Sequence, residues 1–117
     1  MFNFHKKKTE NTKHDYVIWY INNKLFPLEQ EIRKVARRIY IKQEAARVFP
    51  LDDNQYLAKL NLTLIGLRTH LIYLLEEYDK ERYEVIKMID EDDLEMAYPA
   101  EGYELIQFEV ERILEGK

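Results

Sequence analysis

Residues 57–88 read LAKLNLTLIGLRTHLIYLLEEYDKERYEVIKM, and their spacing decides the fold. Leu57, Leu60, Leu64, Leu67, Leu71, Leu74, Tyr78, Val85 and Met88 recur at alternating steps of three and four, with one breach at Glu81. That is the seam of a heptad, and it puts all of them on one flank of an α-helix. Leu62, Ile65, Ile72 and Leu75 add apolar positions beyond the seam, so residues 57–75 are apolar on most sides. A helix of this kind has to be covered by more than one neighbour. The pattern predicts one long central helix over about 53–89, capped by Asp52 or Asp53 and ended by the run Asp90–Asp93, because acids sit badly at a helix C-terminus.

At about 1.5 Å per residue such a helix is ~55 Å long, against a radius of gyration of ~13 Å for a compact domain of this size. Either it bends near Tyr78–Arg82, where the stripe thins, or its surplus length packs on a second copy. The expectation is a homodimer, intertwined or coiled-coil-like, with Leu57, Leu60, Leu64, Leu67, Leu71 and Leu74 as core or dimer seam.

The rest of the chain points to helices as well. Three glycines and three prolines are too few for a turn-rich or strand-rich fold. Residues 15–26 (DYVIWYINNKLF) contain a β-prone run, but no second strand is available to pair with it. Asp15 as N-cap and Ile18, Ile21 and Leu25 at helical spacing favour a first helix. Pro27 then suits the first turn of a second helix, from about 28 to 48, with Glu29 and Glu31 near its positive end. Leu28, Ile32, Val35, Ile39, Ala46 and Phe49 mark its apolar face, and it stops before Pro50. Pro99 suits the start of a last helix, whose face is Tyr103, Ile106, Val110 and Ile113 and whose end is marked by Gly116. The predicted fold is therefore all-α, a small bundle of about four helices. Its expected organisation is a basic tail over 1–13 followed by a single helical domain over 14–117.

Composition bounds the chemistry. With 117 residues, 46% hydrophobic and 34% charged, the chain is ordinary globular material and long enough for a real core. It contains neither cysteine nor serine, which removes disulfides, thiolate metal sites and the commonest nucleophiles. The most apolar stretch, Leu60–Leu75, includes Arg68 and His70 and is shorter than the ~20 residues a bilayer demands. No secretory signal follows Lys6–Lys8, so a cytoplasmic location and no membrane partner are expected. The high Lys, Ile, Asn and Tyr content suggests an AT-rich bacterial or phage source.

No constellation for catalysis, a cofactor or a metal emerges. His5, His14 and His70 lack zinc-peptidase spacing and the Glu-x-x-His pair of di-iron bundles, and the Arg-then-His spacing of small helical ribonucleases is missing. His70 reads as a core or interface histidine. The acidic run Asp90–Asp93 with Glu95 lacks the EF-hand glycine and reads as a solvated helix end.

Charge is split along the chain. Up to Pro50 there are eleven Lys and Arg against five Asp and Glu; from Leu51 onward there are seven against seventeen. Arg33, Lys34, Arg37 and Arg38 lie away from the second helix's apolar stripe, near Tyr40 in sequence. They fit pairing with the acidic third and fourth helices, of this chain or of a partner subunit, better than a phosphate-binding face. Trp19, with Tyr16 and Tyr20, is either a partner anchor or core. The expected function is a non-enzymatic protein–protein interaction protein: an adaptor, inhibitor, chaperone or assembly factor with a protein partner. The alternative is a small nucleic-acid-binding regulator that uses the basic face of the second helix.

Overall fold

The computed structural model describes residues 13–48, 54–91 and 102–117, and every element among them is helical. The first rod runs from α1 (residues 13–20) through a π turn (Ile21–Leu25) into α2 (Phe26–Val48). The second is α3 (Asn54–Glu91), the long central helix, which is unbroken over 38 residues. A shorter α4 (Gly102–Leu114) forms the third layer. Of the expected tail over 1–13, residues 1–12 lie outside the described residues and Lys13 already belongs to α1; 49–53 with the capping aspartates, and Asp92, Asp93, Glu95 and Pro99, also lie outside them. The Tyr103 side chain is likewise outside them.

Two polar contacts fix the hairpin's direction. The Tyr78 hydroxyl donates to Glu29 at 2.8 Å, and the Tyr20 hydroxyl donates to Glu81. Residue numbers fall along the first rod as they rise along α3, so the rods are antiparallel. Helix α4 runs parallel to α2: Glu109 meets Arg33, and Gly116 lies against Tyr40, with the same sequence offset in both pairs. α4 leans on α2 more than on α3.

The length puzzle resolves in a way that the sequence did not suggest. α3 is one unbroken helix, and the first rod of the same chain matches its length. The continuous 13–48 rod is about 54 Å long and lies beside a helix of about 57 Å. The radius of gyration is accordingly 20.2 Å, well above the ~13 Å of a compact domain.

Continuity of the first rod is the main correction to the sequence reading, which started a new helix at Pro27. A proline inside an α-helix lacks the amide donor, and its ring collides with the carbonyl four residues back. Here the preceding turn is widened, with the Phe26 amide donating to the Ile21 carbonyl five residues back. This π turn absorbs the proline without a break. One extra residue in a turn also rotates everything before it by about 100°. Val17, Tyr20 and Ile21 therefore pack towards α3, while Ile18, expected on the inner face, turns outward.

The core follows the predicted seams. Leu60, Leu64, Leu67, Leu71, Leu74, Tyr78 and Val85 of α3 are buried, Leu57 and Met88 partly so. Facing them are Leu25, Ile32, Val35, Ala36 and Ile39 from the first rod and Ile106 and Val110 from α4. The breach in the heptad at Glu81 is where the Tyr20 hydroxyl binds. Gly116 ends α4 in a left-handed conformation (φ 80°), with its amide donating to Ile113 and that of Lys117 to Arg112. This is a Schellman cap, which satisfies carbonyls that the helix end would otherwise leave unpaired.

Candidate interaction surface

The two flanks of α3 have opposite fates. On the inner seam Leu64 and Leu71 are 4% and 6% exposed; on the reverse flank Leu62, Ile65, Ile72 and Tyr73 are 69%, 59%, 58% and 57% exposed. Sequence analysis placed Leu62, Ile65 and Ile72 under covering neighbours, and none lies over them among the described residues; of that set only Leu75 packs against the core. With Ala58 and Thr69 the exposed residues form a second stripe, again at steps of four and three. The Thr69 hydroxyl is occupied by the Ile65 carbonyl at 2.9 Å, which leaves its methyl as part of the stripe. Beyond Ile72 the same flank carries Glu76, Lys80, Tyr83 and Lys87, with Tyr83 also exposed. Apolar residues scattered singly over a surface are normal, but a contiguous stripe marks a contact site. A signal was present in the sequence: positions 58, 62, 65, 69 and 72 repeat the three-four step on their own.

The basic cluster divides. Arg33 grips Glu109 with Nε at 2.6 Å and an η nitrogen at 3.3 Å, and it lies 3.8 Å from Glu29. Glu29 in turn accepts from Tyr78, so one polar chain ties α3 to α2 and α2 to α4. The hydrogen bond from Arg33 holds the Glu109 carboxyl below the ordinary glutamate range, and the same bond raises the Arg33 guanidinium. For Arg33 the internal-pairing reading therefore applies. Lys34, Arg37 and Arg38 remain exposed on α2. Tyr40 is half-buried beneath the α4 cap, since a Cβ on Gly116 would stand 2.8 Å from its hydroxyl.

Trp19 is 50% exposed on α1 and stacks on Tyr16 with ring centroids 6.0 Å apart. Tyr20 is tucked inward, and burial followed by the Glu81 hydrogen bond pushes its phenol up. His70, expected in the core or an interface, is exposed on α3. Asp90 and Glu91 form the exposed end of α3.

Among the described residues, no group of histidines and carboxylates is placed to hold a metal ion, and no helix is long and apolar enough to cross a membrane. A scan against protein-family models, a search of curated proteins and a search of solved structures each found no match.

Proposed function

We propose that this chain is a non-enzymatic interaction protein, an adaptor, inhibitor, chaperone or assembly factor, that works by offering the outer flank of α3 to another protein chain. The observation that carries this reading is the uncovered stripe of Leu62, Ile65, Thr69 and Ile72. It sits on a helix whose opposite flank already holds the fold together. Ridged apolar flanks at heptad spacing dock helices. The protein acts in the cytoplasm, a placement supported by its cysteine-free composition.

The test uses the full chain carrying Leu62→Gln, Ile65→Gln and Ile72→Gln together. Helicity and melting temperature should be unchanged, while complexes seen with the unaltered protein are lost. Collapse of the fold would mean that the flank is internal, and retention of every complex would mean that it is not the contact surface. The exposed Lys34, Arg37 and Arg38 favour a second reading, nucleic-acid binding. A salt-sensitive oligonucleotide shift abolished by replacing these three with glutamine would promote that reading over the first.

A further inference from the structure

The outer flank of α3 is close to self-complementary. Ala58, Leu62, Ile65, Thr69, Ile72 and Glu76 are spaced by four, three, four, three and four, a series that reads the same in reverse. Two copies laid antiparallel therefore bring Leu62 of each against Ile72 of the other, Ile65 against Thr69, and Ala58 against Glu76, all about one axis. A two-fold contact requires such a surface, in which each residue meets its mirror position. Building on the reading that this flank binds a protein, we infer that its occupant is a second copy of the same chain, α3 against α3, antiparallel about a two-fold axis between Ile65 and Thr69.

Charge selects the same arrangement. Residues 34–75, at the turn end of the hairpin, carry seven Lys and Arg against three acids; residues 76–91 of α3 carry seven acids against three cations. On the outer flank itself, antiparallel pairing sets Lys59 beside Glu76 and Glu77 of the other copy. Parallel pairing would stack Lys59 on Lys59 and Glu76 on Glu76, which like-charge repulsion opposes. Gly66 adds an independent pointer. A Cβ there would meet nothing within 4 Å, so packing within the chain gives no reason for a glycine that weakens a helix relative to alanine. At the edge of a helix–helix contact it permits close approach of the two backbones. One feature opposes the pairing: Arg68 of each copy comes near its counterpart at the rim, a small cost where both heads reach water.

The test is the mass of the full chain by sedimentation equilibrium at tens of micromolar. Twice the 14.3 kDa of one chain is expected, with Leu62→Gln/Ile65→Gln/Ile72→Gln monomeric and Arg68→Gln a tighter dimer. Lys59→Glu or Glu76→Lys alone should weaken dimerisation roughly two- to fivefold, the range for exposed ion pairs, and the two together should restore it. Within one chain these residues stand about 25 Å apart along the helix, so restoration arises only between copies. A wild-type mass of one chain, with the fold of the triple variant intact, overturns the second-copy inference while leaving the interaction surface standing. A dimer that the double reversal fails to restore overturns the antiparallel register. Loss of helicity in the triple variant would instead remove the surface itself.

Discussion

Leu71 and Ile72 are neighbours on one helix and nearly equal in apolarity, yet Leu71 is buried at 6% exposure and Ile72 stands 58% exposed. The same contrast runs along the middle of α3, between the seam of Leu60, Leu64, Leu67 and Leu71 and the stripe of Leu62, Ile65, Thr69 and Ile72. Periodicity says which residues share a flank; it does not say whether anything lies against that flank. Among the described residues the inner flank is matched by a rod of nearly equal length, and the outer flank is not. Inner leucines therefore govern folding, and the outer ones are left available for the association proposed above.

The contrast breaks most visibly in the core. Leu71→Ala or Leu64→Ala should lower unfolding free energy by about 2–5 kcal/mol in denaturant titrations, as cavities in a packed seam do. Next comes the seat of α4 on that core. Gly116→Ala should cost about 1–3 kcal/mol, because the left-handed backbone strains any side chain and the added methyl would strike Tyr40. A smaller effect belongs to the α2–α4 ion pair. Arg33 lowers the proton affinity of Glu109 in the folded state below that of the unfolded chain. The stabilisation is therefore full above the ordinary glutamate range and is lost as pH falls through the depressed value. Glu109 is partly exposed, which limits the effect to about 0.2–1 kcal/mol. Melts of wild type and Glu109→Gln should converge as the solution becomes acidic and separate near neutrality. Smallest of all, Leu62→Ala at a concentration too low for association should change stability by less than about 0.5 kcal/mol, as surface substitutions do. A cost near that of Leu64→Ala would erase the distinction between the flanks.

Much of the fold was legible from spacing alone. The α3 seam, the end of α4 at Gly116 and the inward faces of α2 and α4 follow from three-four periodicity and cap chemistry, both local properties. Pro27 was misleading because proline is a common first-turn residue, and nothing nearby in sequence announces a π turn. The resulting phase slip exchanged Ile18 for Val17 in the core. Glu81 was visible as a break in the seam, but its partner Tyr20 is 61 residues away. Arg33 and Glu109 are likewise 76 residues apart, so the register that joins them exists only in the folded chain. The outer stripe was legible as apolar but not as lying outside the described bundle, because composition cannot distinguish a flank facing its own bundle from one facing a partner.

The most direct test of the two-flank account compares Leu71→Asp with Ile72→Asp by thermal circular dichroism at low micromolar concentration. The prediction is that Leu71→Asp abolishes the cooperative helical melt, whereas Ile72→Asp keeps helicity and melting temperature close to wild type. Equal loss in both variants, or a wild-type melt for Leu71→Asp, would contradict it.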